Sequence, residues 1–181
     1  MGRYESSILA GVALAMMASP VQGQEAFGTG EAHAYPAGLI GRAGLGTTVS
    51  GVRLSLMGGY NRTDRRDWGE HEHEEGGGPG LGLRITREGS GGSGVYGELR
   101  LDVWFLEVNW RDPGPRRGST EVQVIQPSVG AGYGWSTGMG RIRVGAALGW
   151  ELNTRVRGED VGEGPILMAG VGLDVGRWTR R

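Results

Sequence analysis

Residues 141–156 read RIRVGAALGWELNTRV, and this stretch decides the fold class. Its side chains fall into two sets that alternate at every position. One set is Ile142, Val144, Ala146, Leu148, Trp150, Leu152 and Val156, and the other is Arg141, Arg143, Gly145, Ala147, Gly149, Glu151, Asn153 and Arg155. A strand points successive side chains to opposite faces, whereas a helix repeats every 3.6 residues and would mix the two sets. The stretch therefore predicts a strand with one apolar face and one face of charged and small residues.

The same alternation recurs along the chain and predicts seven strands in all. The others are Leu39–Val49 (weakly), Val52–Tyr60, Leu81–Glu88, Val95–Phe105, Glu121–Trp135 and Leu167–Val175. Within Glu121–Trp135 the apolar positions change parity, from Val122 and Val124 to Val129 and beyond. Because one extra residue in a strand reverses the faces that follow it, the change predicts a bulge near Ile125–Pro127.

The predicted connections alternate between short and long. Ser50-Gly51, Gly89–Gly94 and Ser136–Gly140 are short and rich in glycine, whereas Arg62–Gly78, Asp112–Ser119 and Gly158–Gly164 are longer and charged. Short turns at one end and long loops at the other are typical of an up-and-down antiparallel meander.

Composition excludes several classes of protein. The chain has 181 residues, 38 of them glycine, a hydrophobic fraction of 38%, a net charge of −1 and no cysteine. A multi-helix membrane protein needs about 20 consecutive apolar residues in each span, and no such series of segments is present. The near-zero charge argues against a nucleic-acid surface, and the missing cysteines exclude disulfides and thiolate metal sites.

The N-terminus has the three parts of a signal peptide. Arg3 supplies a charge, residues 8–18 (ILAGVALAMMA) form an apolar core, and Val21-Gln22-Gly23 offers small residues to a signal peptidase. The apolar core is too short to span a bilayer. We therefore expect residues 1–23 to be removed on export and residues 24–181 to form the mature domain.

From about Glu25 to Trp178, the pattern of strands and loops resembles the small bacterial outer-membrane β-barrel proteins of the eight-stranded class. The resemblance implies an all-β, up-and-down antiparallel barrel in the outer membrane, with its lipid and the barrel-insertion machinery as partners. An even strand number is required, so the eighth strand must come from roughly Glu25–Tyr35 and pair with the last. Members usually end on an aromatic residue, whereas Trp178 is followed here by Thr179, Arg180 and Arg181.

A membrane barrel turns its apolar face outward, and a soluble barrel turns it inward. The polar face here mixes arginine with glycine, alanine and acids, which suits a narrow filled interior. The expected interior charge cluster is Arg53, Arg84, Glu98, Arg100, Asp102, Arg143, Glu151, Arg155 and Asp174. Aromatic residues support the membrane alternative because most lie near predicted strand ends, where interfacial rings prefer to sit. They are Tyr60, Trp68, Trp104, Phe105, Trp110, Tyr133, Trp135, Trp150 and Trp178.

Chemistry is sparse in this sequence. The conspicuous segment Glu70–Glu75 (EHEHEE) has metal-ligand residue types, but its flanking glycines favour a solvated acidic loop tip. None of His33, His71 and His73 lies on a clear strand, so a catalytic triad has no convincing position. We expect no catalytic residue, cofactor or metal, and a structural, adhesive or interaction role through the long loops with an unknown extracellular ligand. The alternatives are a narrow anion-favouring pore and a secreted soluble barrel that binds an apolar small molecule.

Overall fold

A computed structural model describes residues 25–67, 69–89 and 93–176, which form eight antiparallel strands. The strands are β1 (Glu25–Tyr35), β2 (Gly38–Val49), β3 (Val52–Arg66), β4 (His73–Glu88), β5 (Gly94–Arg111), β6 (Arg117–Thr137), β7 (Gly140–Arg157) and β8 (Gly164–Gly176). Each strand pairs with the next, and β1 pairs with β8, so the sheet closes into a barrel. The described residues contain no helix long and apolar enough to cross a membrane.

The predicted eighth strand is confirmed at Glu25–Tyr35. It pairs with β8 from Phe27 opposite Gly176 to Ala34 opposite Ala169. Closure satisfies the backbone donors and acceptors that an edge strand would leave open. The expected signal peptide (residues 1–23) and Trp178 lie outside the described residues.

The connections define two ends of the barrel. At the turn end, β2 and β3 are joined by Ser50-Gly51, whose φ angles of 50° and 78° indicate the tight hairpin turn that needs left-handed residues. At the loop end lie residues 36–37, 67, 69–72, 112–116 and 158–163. The predicted loops Arg62–Gly78 and Asp112–Ser119 are therefore too long, because β3 and β4 extend into the first and β6 extends into the second.

The outer face carries a continuous apolar belt that begins at the turn end. We define the apolar belt as the outward side chains of residues 26–34, 39–49, 52–60, 79–85, 95–105, 125–135, 142–152 and 165–175. Val95, Leu99 and Leu167 are 66%, 56% and 64% exposed, values that no packed core allows. A tilted strand needs about 9–11 residues to cross the hydrocarbon core of a bilayer, and most strands contribute a segment of that length to the belt. The belt therefore has the height of a bilayer core.

Beyond the belt, β3–β7 continue towards the loop end as an upper wall, defined as residues 61–66, 73–78, 106–111, 117–124 and 153–157. There the two faces exchange character. On β5 the outward residues become Glu107, Asn109 and Arg111, while Leu106 and Val108 point inward and are at most 5% exposed. The outer face of the upper wall is thus polar, as suits contact with water, and the apolar side chains of the wall pack inside the barrel.

This exchange explains the parity change in β6 without the predicted bulge. Val122 and Val124 are both 3% exposed and point into the upper interior, and even-numbered residues keep pointing inward along the strand. The pairing of β6 with β5 continues without interruption through Ile125 and Pro127. The bulge predicted near Ile125–Pro127 is therefore wrong.

The register shift that does occur lies between β6 and β7, nearer the loop end. Glu121 pairs with Arg157 and Gln123 with Thr154, so the extra residue belongs to β7. Arg155 there has a φ of 51°. As a result Val156, predicted to share the face of Leu152, turns inward and packs against the upper core.

Large interior side chains lie over glycines on neighbouring strands. Trp104 is 1% exposed, and a Cβ at Gly80 would lie 2.8 Å from its Cδ2 atom. Trp104 and Trp110 both point inward, which corrects their predicted interfacial positions, whereas Tyr60, Phe105, Tyr133, Trp135 and Trp150 are exposed on the belt. Glycine in β4 therefore makes room for bulky side chains from β5.

Candidate functional site

The structure places all but one of the expected charge-cluster residues inside the barrel. Arg53, Arg84, Glu98, Arg100, Asp102, Arg143, Glu151 and Asp174 are each at most 6% exposed. Arg155 does not join them, because the β7 bulge leaves it exposed. Glu151 lies apart from the others, near the loop end.

Glu31 of β1 is the centre of the cluster, although the sequence pattern did not single it out. Its carboxylate lies 2.6 Å from Arg84 Nη1, 3.3 Å from Arg143 Nη2 and in direct contact with Arg100. Arg42 adds a fourth guanidinium at 3.6 Å. Glu31 was missed because β1 has only alanine and glycine on its other face, which weakens the alternation.

The arginines around Glu31 are shared with further carboxylates. Asp174 lies 2.8 Å from Arg143 Nε and 2.9 Å from Arg53 Nη1. Glu98 lies 2.8 Å from Arg100 and Asp102 2.7 Å from Arg42. Each of these guanidinium groups therefore meets at least one carboxylate, as a charge removed from water requires.

Towards the turn end the cluster continues to Glu88. Its carboxylate accepts from Arg53 Nη1 at 2.8 Å and from Arg141. Phe27 covers the same arginine, since Arg53 Cζ lies 3.8 Å from the ring centroid. Ion pairs and rings together therefore cross the interior of the barrel inside the apolar belt.

A second buried group, which we name the loop clasp, closes the loop end. It consists of Arg65, His71, Glu74, Trp110, Asp112, Glu151 and Gly162. Glu74 is 0% exposed and accepts from the backbone N–H groups of Glu70 (2.9 Å), His71 (3.2 Å) and Gly162 (3.0 Å). One carboxylate thus joins the β3–β4 and β7–β8 loops.

Arg65 connects the same carboxylate to the wall. It donates to Glu74 at 3.2 Å, to the Gly162 carbonyl at 2.5 Å and to Glu151. Glu151 is 2% exposed. Its ion-pair partner among the described residues is therefore Arg65 of the clasp rather than an arginine of the Glu31 cluster.

His71 ties the third loop into the clasp. Its ring stacks on Trp110 with centroids 4.1 Å apart and planes 10° from parallel. Nδ1 lies 3.0 Å from Asp112 Oδ1, and Nε2 lies 3.0 Å from the Asp160 carbonyl oxygen. Each ring nitrogen of His71 therefore faces an oxygen atom of a different loop.

The segment Glu70–Glu75 is therefore not the solvated loop tip that its sequence predicts. His71, Glu74 and His73 are at most 8% exposed, and Glu70 and Glu72 are the exposed members before the strand. His73 begins β4 and His33 lies within β1, so both are strand residues, contrary to expectation. Among the described residues, no three His, Asp or Glu side chains are grouped as ligands for a metal ion.

Polar contacts also organise the outside of the upper wall. His73 Nε2 lies 3.0 Å from Asp64 Oδ1, and Arg66 Nε donates to the same atom at 3.3 Å. These hydrogen bonds hold the pKa of the Asp64 carboxyl below its ordinary value. On the next strands, Ser119 donates to Glu107 at 3.3 Å and Arg157 to Glu121 at 3.4 Å.

Comparison with solved structures places this barrel among known folds. The major outer membrane protein of Thermus thermophilus has a TM-score of 0.59 and 10% identity, over 86% of this chain and 100% of that one. Neisserial surface protein A (TM-score 0.47, 15% identity, 83% and 94% covered) and the N-terminal β-barrel domain of Pseudomonas aeruginosa OprF (0.48, 13%, 83% and 96%) also match. No protein-family model and no curated protein sequence matches. The likeness to the Thermus protein concerns the fold, which is that of the eight-stranded outer-membrane β-barrels.

Proposed function

We propose that this chain is a non-enzymatic barrel of the bacterial outer membrane that holds its loop end as a fixed, outward-facing interaction surface. In this proposal the signal peptide (residues 1–23) directs export, and the insertion machinery places the mature domain in the membrane. The apolar belt then contacts lipid, and the loop clasp faces the outside of the cell.

The loop clasp carries the proposal. Flexible loops would leave the backbone N–H groups of Glu70, His71 and Gly162 to water, but Glu74 binds all of them below the surface. A buried carboxylate that accepts several hydrogen bonds gives loops a defined shape. A loop surface of defined shape on a rigid barrel suits a protein that binds partners through that surface.

The filled interior argues against the narrow anion pore. Glu31, Asp174 and their arginines form direct ion pairs across the barrel, so an ion would have to break them in order to pass. An eight-stranded barrel has an interior that side chains fill. The exposed apolar belt likewise argues against a soluble barrel. An apolar surface this continuous is not stable in water and has to be covered, here by membrane lipid.

The orientation is tested with single introduced cysteines. Each is the only cysteine in its variant, because the natural chain has none. A membrane-impermeant maleimide should label Glu70→Cys on intact cells, because Glu70 is an exposed loop-end residue. The matched control is Met139→Cys at the turn end, where Met139 is 84% exposed, and labelling there should need permeabilised cells. Equal labelling of both on intact cells, or recovery of the protein without detergent, would contradict the placement.

The role is tested on the same cells. A photo-crosslinker attached at Glu70→Cys should give discrete adducts with surface components, and the same reagent at Met139→Cys should not. Planar bilayers containing the purified protein should show no single-channel conductance. Steady conductance together with no adduct from the loop end would replace the proposed role with the pore.

A further inference from the structure

A row of basic side chains on the outside of the upper wall contains two arginines that form no ion pair within the described residues. Arg66, His73, Arg111 and Arg117 occupy one register row on the outside of β3–β6, because Arg66 pairs with His73, His73 with Arg111, and Arg111 with Arg117. Arg66 and His73 are satisfied by Asp64. Arg111 and Arg117 are exposed, and no described acid forms an ion pair with either.

Two arginines directly opposite each other on an antiparallel pair repel, and a bound anion relieves that repulsion. Guanidinium groups also match carboxylate and phosphate oxygens with paired donors. The Arg111–Arg117 pair is therefore an anion site by its chemistry.

The pair borders a recess in the outer wall. A pocket of about 380 Å³ lies between β4, β5 and β6, and its lining includes His73, Glu75, Asn109, Arg111, Arg117 and Ser119. Asn109 and Ser119 pair with each other two rows below the arginines, on the same outer face. Arginines beside amide and hydroxyl groups suit a ligand that carries both an acidic group and hydroxyl groups, and Glu75 can accept from such hydroxyls.

The height of the pocket above the bilayer selects among anionic lipids. From Phe105, at the upper edge of the belt, to Arg111 the strand rises about 20 Å at roughly 3.3 Å per residue. With a strand tilt of about 40°, this corresponds to about 15 Å along the membrane normal. The headgroup layer of an ordinary bilayer is about 5–8 Å deep. A phospholipid phosphate therefore stays below the pair, whereas an extended saccharide headgroup reaches it.

We propose that this pocket binds an acidic group on the saccharide head of a membrane glycolipid that lies against the barrel. The pocket opens on the outer side of the barrel, above the lipid-facing belt, so the occupant approaches from the surrounding leaflet. Arg62, which lies just above Tyr60 on β3, is at the height of phosphate groups nearer the hydrocarbon. This inference rests on the proposed membrane placement and adds to it a specific lipid partner.

The experiment uses the full chain refolded in detergent and three probes. These are a rough-type lipopolysaccharide with a phosphorylated core oligosaccharide, the same lipid without its core sugars, and the released core oligosaccharide. Dissociation constants are measured by native mass spectrometry for the natural chain and for Arg111→Gln/Arg117→Gln. The control is Arg87→Gln, because Arg87 is an exposed arginine on the outer face of β4 at the turn end.

Exposed charge contacts are individually weak, so losing both arginines should weaken binding of the core-bearing lipid about tenfold. Binding of the sugar-free lipid should not change, and Arg87→Gln should behave as the natural chain. Unchanged affinity in the double variant, or an equal loss for the sugar-free lipid, would overturn the inference. Equal affinity for the released oligosaccharide would overturn the assignment to a membrane lipid.

Gel mobility separates the failure of this inference from the failure of the proposed function. A folded outer-membrane barrel migrates differently before and after heating in detergent. If the natural chain and the variants all shift on heating but the arginines leave binding unchanged, only the glycolipid site is wrong. If the natural chain does not shift, the membrane placement itself is wrong.

Discussion

Replacing Glu31 with glutamine removes the central negative charge of the interior while keeping the volume of the side chain. Glu31 contacts the guanidinium groups of Arg84, Arg143 and Arg100. Removing one partner from a buried ion pair costs about 3–5 kcal/mol, because the other charge stays buried and uncompensated.

The surrounding acids decide where in that range Glu31→Gln falls. Arg84 and Arg143 keep Asp174 at 3.5 and 2.8 Å, and Arg100 keeps Glu98 at 2.8 Å. No guanidinium group loses its last carboxylate. We therefore expect a loss of about 3 kcal/mol, at the lower end of the range.

The assay is reversible urea unfolding in lipid vesicles, followed by tryptophan fluorescence and by gel mobility. The control is Glu121→Gln, which breaks the exposed pair of Glu121 and Arg157 (69% and 82% exposed side chains) and should cost less than about 0.5 kcal/mol. If Glu31→Gln costs as little as Glu121→Gln, the interior charges are hydrated rather than mutually paired, and the argument for a filled interior fails.

The remaining predictions concern packing, the belt and the clasp. Gly80→Ala should destabilise the barrel by about 1–3 kcal/mol because its new Cβ would overlap a buried ring, whereas Gly41→Ala, with nothing within 4 Å, should be close to neutral in the same assay. Leu101→Arg, on the belt, should cost about 2–4 kcal/mol in vesicles, and Glu107→Arg, on the upper wall of the same strand, should cost about 0–1 kcal/mol; equal costs would remove the belt boundary between them. His71→Phe keeps a ring for stacking but loses both hydrogen bonds, so limited proteolysis at residues 112–116 and 158–163 should be faster than in the natural chain, and His71→Ala faster still; unchanged cleavage would mean that the clasp does not order these loops.

Alternation alone predicted most of the membrane-facing part of the fold. It works between Val95 and Phe105 because lipid outside and ion pairs inside keep each face uniform along the strand. It also located β1 at Glu25–Tyr35, but only with the requirement for an even strand number.

The errors arise where that uniformity ends. Above the belt, water lies outside and apolar side chains pack inside, so Val122 and Val124 suggested a bulge where the strand is regular. Charged residues such as Arg65 and Glu74 suggested a loop although they lie on strands. Strands of the upper wall are polar on the outer face, and at the clasp they are polar on the inner face as well, so no alternation is visible. The clasp brings together residues from three loops and four strands, and a single sequence carries no signal for contacts of that range.

The account depends most directly on the exchange of faces along β5. Since the chain has no cysteine, spin labels can be attached one at a time to the outward positions of β5 in vesicles. Positions 95–105 should be accessible to oxygen and protected from an aqueous nickel reagent, and positions 107, 109 and 111 should show the reverse. Free access of the nickel reagent to Leu99 and Leu101 would contradict the lipid-facing belt, and with it the membrane barrel.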